Sequence, residues 1–268
     1  MPTEKLRVPG EKRELDAYLA RPDGDGSRHP AVLLVHEIFG PDAHIQDVCR
    51  RFAAEGYVAL APNLFTGELE KVLTPTNIGL AMQAFATAPP DLRRDPSKFA
   101  AFAASQPPER RPVLEAFGRT MSPVAQSSFA LDLLSVARHM RTLPSVDPRR
   151  TAALGFCFGG GMVGRLATVD PDLRAAVIFY GQNPPLEDVP KVRASVLGLY
   201  GGEDVGITSE VPRLAEAMAK AGKSFTSKVY PGARHAFFND TRPAVYHAES
   251  ARDAWPQVLE FLRKTLAP

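Results

Sequence analysis

The sequence has little cysteine: only Cys49 and Cys157 occur among its 268 residues. Two thiols are too few for a disulfide framework, and their surroundings differ enough to predict separate roles. Around Cys49 the apolar residues Ile45, Val48 and Phe52 recur at helical spacing, which predicts a buried helix stripe. We therefore expect Cys49 to be structural.

The chain also lacks a large charge of either sign and long apolar runs. It carries 32 Lys and Arg against 30 Asp and Glu, a net charge of +2, with no long run of one sign. This composition predicts neither nucleic acid nor a membrane as a partner. No apolar stretch reaches bilayer-spanning length, and the polar start of the chain is followed by no signal core, so the predicted compartment is the cytoplasm.

Short apolar runs alternate with helical patterns along most of the chain. Residues 30–35 form a buried-strand pattern, Asp42 can cap the helix that follows, Gly56 can end it, and 57–61 predict the next buried strand. The alternation continues with predicted strands at 151–156, 175–180, 195–200 and 225–230, and with helices at 127–141, from 158, at 208–221 and at 244–266. Such a βα series predicts the α/β fold class, with a mostly parallel sheet covered by helices on both faces.

Residues 66–126 interrupt this rhythm with proline-rich breaks. Between and before the breaks, 78–85 and 98–104 predict short amphipathic helices. We expect one α/β domain over residues 1–268 with a helical insertion at 66–126. The insertion is either an active-site lid or a surface excursion without a catalytic role, and the sequence leaves both open.

The sharpest local motif is Gly155-Phe156-Cys157-Phe158-Gly159-Gly160-Gly161, which follows an apolar strand and precedes a helix. It fits a nucleophile elbow, in which flanking glycines remove side-chain clashes around a strained strand-to-helix turn. Cys157 stands where a serine is more usual. The helix dipole favours the thiolate at this position, and the thiolate is the nucleophilic form.

The same motif allows two other interpretations. The first is a buried cysteine beside a glycine-rich helix contact. The second is a dinucleotide site, because Gly159, Gly161 and Gly164 match G-x-G-x-x-G after a strand. Two observations argue against a dinucleotide site. The motif lies late in the chain, and the next strand ends at Tyr180 instead of an acidic residue.

A cysteine nucleophile needs a base and an orienting acid, and a hydrolase of this fold supplies them in the order nucleophile, acid, histidine. Asp204 follows a predicted strand, with Glu203 as the alternative acid, and His235 follows the next strand. His44, His139 and His247 fall within predicted helices, His29 lies in a polar loop, and His36 precedes the acid. We find no metal-ligand spacing and expect neither a metal nor a cofactor.

Four motifs together resemble the dienelactone hydrolase (carboxymethylenebutenolidase) family. They are His36-Glu37-Ile38-Phe39-Gly40, Gly155-Phe156-Cys157-Phe158-Gly159-Gly160, Asp204, and Gly232-Ala233-Arg234-His235-Ala236-Phe237. The resemblance spans most of the chain and implies an α/β-hydrolase fold. It also implies that Glu37 contacts the thiol of Cys157, and that the backbone N–H groups of Ile38 and Phe158 form an oxyanion hole.

The resemblance also bears on the substrate. Family members that act on dienelactone hold its carboxylate with arginines, one of them four residues after the catalytic histidine, and here that position is Asn239. Arg234, Arg242, Arg93 or Arg94 could replace it. Phe39, Phe237 and Asn239 are the candidate substrate contacts, and the phenylalanines near the site indicate an apolar or aromatic pocket that core packing would explain equally well.

The sequence therefore predicts a hydrolase that cleaves a small ester or lactone through Cys157, His235 and Asp204, with an acyl-cysteine intermediate. A thioesterase or general carboxylesterase with the same site is the first alternative. A small-molecule-binding homologue without turnover is the second, because the fold alone does not fix the function.

Overall fold

One eight-stranded sheet organises the chain in a computed structural model that describes residues 1–24, 26–86, 88, 92 and 96–268. The strands are β1 (Thr3–Pro9), β2 (Glu14–Ala20), β3 (His29–Val35), β4 (Val58–Pro62), β5 (Val146–Phe156), β6 (Ala175–Phe179), β7 (Ser195–Gly201) and β8 (Phe225–Tyr230). Their order is β1-β2-β4-β3-β5-β6-β7-β8, with β1–β2 and β2–β4 antiparallel and the other neighbours parallel. The mostly parallel sheet expected from the βα rhythm is confirmed.

Helices cover both faces of this sheet, as predicted. They are α1 (Ala43–Ala54), α2 (Glu68–Val72), α3 (Pro75–Ala86), α4 (Pro96–Ser105), α5 (Arg111–Thr120), α6 (Pro123–Thr142), α7 (Phe158–Val169), α8 (Val205–Thr208), α9 (Val211–Lys220) and α10 (Ala248–Thr265), with a 3-10 turn at Leu186–Lys191. Apolar side chains of α1 and α10 form the core on one face, and those of α6, α7 and α9 form the core on the other. Among the helices in the described ranges, none is long and apolar enough to span a bilayer.

The segment from β3 to β4 forms as its sequence predicts. Asp42 caps α1 by accepting a hydrogen bond from the backbone N–H of Ile45 at 3.1 Å, and Gly56, with φ +86°, reverses the chain into β4. Cys49 lies fully buried on the apolar stripe of α1, which confirms its expected packing position. This helix fixes the loop between β3 and α1, where the candidate site begins.

The N-terminal hairpin β1–β2 extends the sheet by two antiparallel strands that the sequence analysis did not predict. A long-range ion pair ties it to the rest of the chain. Two guanidinium nitrogens of Arg13, which precedes β2, contact Asp132 of α6 at 3.0 and 2.7 Å, and Arg13 also donates to the carbonyls of Leu64 and Thr66. The carboxylate of Asp132 is almost fully buried, so this contact anchors the hairpin on α6.

The region 66–126 contains α2 to α5, and α6 begins within it. Rings of α3, α4 and α5 meet in a small aromatic cluster of Phe85, Phe99, Phe102 and Phe117. Val113, Leu114 and Ala116 of α5 join the main core and so attach the cluster to the sheet. Arg93 and Arg94 lie outside the described residues, as do Pro89, Pro90, Asp91 and Asp95 of the predicted breaks. The lid function of this region stays a prediction.

Candidate active site

The candidate residues lie just beyond the carboxyl ends of parallel strands. Glu37 and Ile38 follow β3, Cys157 follows β5, Asp204 lies shortly after β7, and His235 follows β8. Because β3, β5, β6, β7 and β8 are parallel, their carboxyl ends meet at one edge of the sheet. The fold thus gathers groups that are up to about two hundred positions apart in sequence.

Cys157 occupies a sharp turn between β5 and α7. Its backbone has φ 54° and ψ −115°, and its N–H donates to the carbonyl of Phe179 on β6 at 3.0 Å. A Cβ on Gly155 would lie 2.2 Å from the carbonyl oxygen of Gly159, and one on Gly159 would lie 2.2 Å from that of Val35. Only glycine fits at either position, so the two glycines permit the turn that presents the thiol.

His235 lies between the thiol of Cys157 and the carboxylate of Asp204. Its Nδ1 is 2.5 Å from Oδ2 of Asp204. Burial alone would lower the pKa of His235, but the negative charge of Cys157, together with hydrogen bonds to Asp204 and Cys157, raises it well above its usual value. The arrangement favours the imidazolium form of His235. Glu203, the alternative acid, is exposed and contacts the histidine loop through its backbone N–H.

Three residues other than glycine have a positive φ in the described part of the chain, and all three belong to this site. They are Cys157 at 54°, Tyr180 at 39° and Ala236 at 64°. Such conformations cost about 1–3 kcal/mol each and persist where the surrounding structure enforces them. Their positions are the turn between β5 and α7, the residue after β6 and the residue after His235, so backbone strain is concentrated among the candidate site residues.

Glu37 is a buried carboxyl group in the loop that follows β3. Its Oε2 accepts a hydrogen bond from the side-chain amide of Asn239 at 2.8 Å. Burial raises the pKa of Glu37, while His44, Asn239 and Arg242 act in the opposite direction. Asn239 is itself fully buried and its Oδ1 accepts from Thr241. The structure therefore places Asn239 against Glu37, where it orients the carboxyl group, rather than in contact with solvent or a substrate.

Two backbone N–H groups flank the thiol from β3 and α7. Phe158 is the first residue of α7, where an N–H has no helical acceptor, and Ile38 lies in the loop after β3. Neither N–H has an acceptor among the hydrogen bonds of the described residues. A pair of free donors at this location can stabilise an oxyanion that forms on a carbonyl attacked by Cys157.

His36 anchors the loop that carries these groups. Its Nε2 accepts from the backbone N–H of Leu64 at 3.1 Å, so Nδ1 carries the proton and donates to the carbonyl of Glu37 at 2.5 Å. The ring is fully buried beside Phe65 and Phe158. Burial lowers the pKa of His36 to about 4, and the imidazole is neutral at pH 7. This histidine is structural.

The lowered pKa of His36 predicts a loss of stability in acid. The unfolded chain binds a proton at His36 near pH 6.5 and the folded chain only near pH 4, so stability falls as the pH drops between these values. The difference between these two pKa values corresponds to a loss of about 3 kcal/mol in the free energy of unfolding. Urea unfolding between pH 7 and pH 4 should show this extra loss in the wild type and not in His36→Gln. Parallel curves for the two proteins would contradict the assignment.

The two candidate aromatic contacts occupy different environments. Phe39 is partly exposed, and the guanidinium carbon of Arg242 lies 4.7 Å from its ring centroid. Phe237 is fully buried and packs against Tyr180 and Tyr230 at ring distances of 5.4 and 5.0 Å. Phe39 can thus contact a substrate, whereas Phe237 belongs to the core beneath the site. Arg234 is exposed.

Two buried residues near Glu37 were not singled out from the sequence as part of the site. His44 on α1 is fully buried, its Nδ1 lies 3.6 Å from Oδ1 of Asp240, and it is one of the groups that oppose the raised pKa of Glu37. Tyr180 follows β6, and its ring centroid lies 5.2 Å from that of His235. His44 belongs to a helix pattern and Tyr180 to the end of a strand pattern. Neither pattern indicates that the residue lies close to the candidate site.

A sheet of this order, with an elbow after β5, an acid after β7 and a histidine after β8, is the α/β-hydrolase fold. The chain belongs to the dienelactone hydrolase family, whose model matches residues 15–266. The family consists of hydrolases, so the class of enzyme expected from the four motifs is confirmed.

Relatives and solved structures agree with this membership. A protein of Saccharolobus solfataricus, provisionally named a carboxymethylenebutenolidase, is 37% identical over 252 residues, which cover 94% of each chain. A protein of Yersinia pestis with the same provisional name is 32% identical over 265 residues, covering 95% of this chain and 85% of the relative. A crystal structure from Klebsiella pneumoniae, provisionally assigned as a dienelactone hydrolase, is 30% identical, with a TM-score of 0.71 and 98% coverage of both chains.

Proposed function

We propose that this protein hydrolyses a small carboxylic ester or lactone with Cys157 as nucleophile, His235 as base and Asp204 as orienting acid. The observation that carries the proposal is the position of His235, which contacts Asp204 at 2.5 Å on one side and Cys157 on the other. A nucleophile, a base within hydrogen-bond reach and a third group that orients the base are the minimal set for acyl transfer.

In the first half-reaction, the thiolate of Cys157 attacks the substrate carbonyl carbon and the carbonyl oxygen becomes an oxyanion. The N–H groups of Ile38 and Phe158 donate to that oxygen. The intermediate collapses, the C–O bond breaks, and the imidazolium of His235 gives its proton to the leaving alkoxide. The product of this step is a thioester on Cys157 and a free hydroxyl group, which stays on the same molecule when the substrate is a lactone.

In the second half-reaction, neutral His235 removes a proton from water while the water oxygen attacks the thioester carbon. The carbon–sulfur bond breaks, the carboxylic acid leaves, and the thiolate–imidazolium pair is restored. Asp204 stabilises the imidazolium in both halves through its contact with Nδ1 of His235. No other co-reactant than water is needed.

The polar groups around the site bear on the choice of substrate. Position 239, where the family resemblance expects a carboxylate-binding arginine, holds an asparagine that is buried against Glu37. An ester or lactone without a carboxylate is therefore the better match at this position, and the partly exposed ring of Phe39 suits an apolar acyl or alcohol group. Thioesters pass through the same acyl-cysteine and stay in the test panel.

The test is a substrate panel combined with trapping of the intermediate. Purified protein is expected to hydrolyse aryl esters or unsaturated lactones, and rapid acid quenching followed by peptide mass spectrometry should locate the acyl group on Cys157. Iodoacetamide should abolish turnover with one label per chain on Cys157, while buried Cys49 stays unmodified and serves as the internal control. An acyl group elsewhere, or activity that survives full labelling of Cys157, would reject the mechanism.

A further inference from the structure

A cavity of about 250 Å³ lies between α1, α10 and the segment that follows β8. Three aromatic side chains, Phe238, Tyr246 and Trp255, form most of its wall. Neither Cys157 nor His235 lines it, so the cavity is distinct from the candidate active site. A concave, largely aromatic surface with a few polar groups is the usual form of a small-molecule site.

The aromatic wall is held in place by the core behind it. Phe238 is almost fully buried, and its ring centroid lies 4.8 Å from that of Phe179 and 5.7 Å from that of Phe156. The ring of Trp255 lies 4.8 Å from that of Phe52 and 6.2 Å from that of Phe238. A cavity of about 150 Å³ is enough for benzene, so a ligand with one ring fits against this wall.

Two polar groups on the aromatic wall are unused. The indole N–H of Trp255 and the hydroxyl of Tyr246 take part in no hydrogen bond within the described ranges of the chain. Both side chains are partly exposed, so water can satisfy these groups when the cavity is empty. Each can donate a hydrogen bond to an oxygen of a ligand.

The two arginines that line the cavity differ in their partners. Arg51 is held by two carboxylates, with its Nε 2.5 Å from Asp47 and a terminal nitrogen 2.6 Å from Asp240. Arg252 is exposed and forms no ion pair in the described part of the chain, and its Nε donates to the carbonyl of Ala248 at 3.3 Å. The guanidinium of Arg252 is therefore the cation that can receive an added carboxylate.

We propose that this cavity binds a small aromatic carboxylate, whose ring packs against Phe238 and Trp255 and whose carboxylate pairs with the guanidinium of Arg252. The aromatic wall accounts for the ring, and the unpaired arginine accounts for the charge. The inference does not rest on the proposed function. Hydrolysis of an aromatic ester would nevertheless release a ligand of this class.

The test uses the fluorescence of Trp255, which is the only tryptophan in the sequence and lies in the wall of the cavity. Titration with benzoate should give a saturable change with a Kd of about 1 mM. Benzamide has the same ring without the negative charge and should bind about tenfold more weakly. A response to benzoate that does not saturate, or equal affinities for the two compounds, would overturn the proposal.

Arg252→Gln should raise the Kd for benzoate about tenfold, because the charge-assisted contact is lost. Arg263→Gln is the matched control: Arg263 is also an exposed arginine on α10, but it pairs with Glu55 and does not line the cavity. This variant should bind benzoate like the wild type, and circular dichroism should show that both variants are folded. Equal weakening in the two variants would indicate a general effect of charge and would contradict the assignment of Arg252.

Two further variants test where benzoate binds. Ala251 is almost fully buried and lines the cavity, so Ala251→Leu should fill part of it and weaken binding while Arg252 keeps its charge. Cys157→Ala should bind benzoate with the affinity of the wild type, whether or not the protein hydrolyses esters. If Cys157→Ala loses the response, or Ala251→Leu keeps full affinity in a folded protein, benzoate binds elsewhere and the proposed site is wrong.

Discussion

Replacing Cys157 with alanine should lower kcat on an accepted ester by a factor of about 10⁴ or more. Without the sulfur no acyl-enzyme forms, and His235 has no partner to activate. The free N–H groups of Ile38 and Phe158 remain, so a small residual rate above that in buffer is expected. Steady-state kinetics on the best substrate of the panel would measure the loss, and turnover that is unchanged in this variant would reject the proposed mechanism.

Cys49→Ala is the matched control for this experiment. The thiol of Cys49 is fully buried on α1, and burial raises its pKa far above its usual value, so it stays protonated and unreactive. Its replacement should cost roughly 1 kcal/mol of stability through lost packing and leave kcat unchanged. Comparing Cys157→Ala with Cys49→Ala distinguishes the effect of losing the proposed nucleophile from the general effect of removing a cysteine.

The parts of the fold that were predictable are those with a strong local signal. The β3 run is apolar on both faces because helices cover both sides of the sheet, and α1 carries a cap, an apolar stripe and a terminal glycine. Cys157, Asp204 and His235 follow the parallel strands β5, β7 and β8, and the carboxyl ends of parallel strands meet at one edge. Chain order therefore predicted their proximity without any structure.

The parts that were missed depend on distant contacts. Strand β1 is mostly exposed and lies at the edge of the sheet, and the hairpin is held through Arg13 and Asp132, which are 119 positions apart. The sequence around either residue does not indicate that the two form an ion pair. The last helix, predicted from 244, begins at Ala248 because residues before it form turns that include the backbone bonds of Arg242.

Side-chain roles near the site were the least predictable. Phe237 and Asn239 stand close to His235 in sequence, and both were expected to contact substrate. Each is fully buried, one against Tyr180 and the other against Glu37, because the turn at Ala236 directs the following segment into the core. Tyr180 ends an ordinary strand pattern, and its φ of 39° results from packing against α7, which the sequence does not display.

Asp170→Ala should be the most destabilising of the variants considered, with a loss of about 3–5 kcal/mol in the free energy of unfolding. Asp170 follows α7 and is almost fully buried, and its carboxylate accepts two hydrogen bonds from Arg141 of α6, at 2.6 and 3.2 Å. Arg141 also donates to the hydroxyl of Thr151 on β5. Alanine at position 170 would leave the guanidinium of Arg141 charged, nine-tenths buried and without its counter-ion.

Urea denaturation at pH 7 would measure this loss, with Asp172→Ala as the control. Asp172 lies two positions away on the exposed side of the same turn, so its replacement should change stability by no more than about 0.5 kcal/mol. Adding Arg141→Met to Asp170→Ala should recover about 2 kcal/mol or more, because the uncompensated charge is then absent. If the double variant is as unstable as the sum of the single ones, the loss arises from packing, and the ion pair does not hold α6, β5 and the end of α7 together.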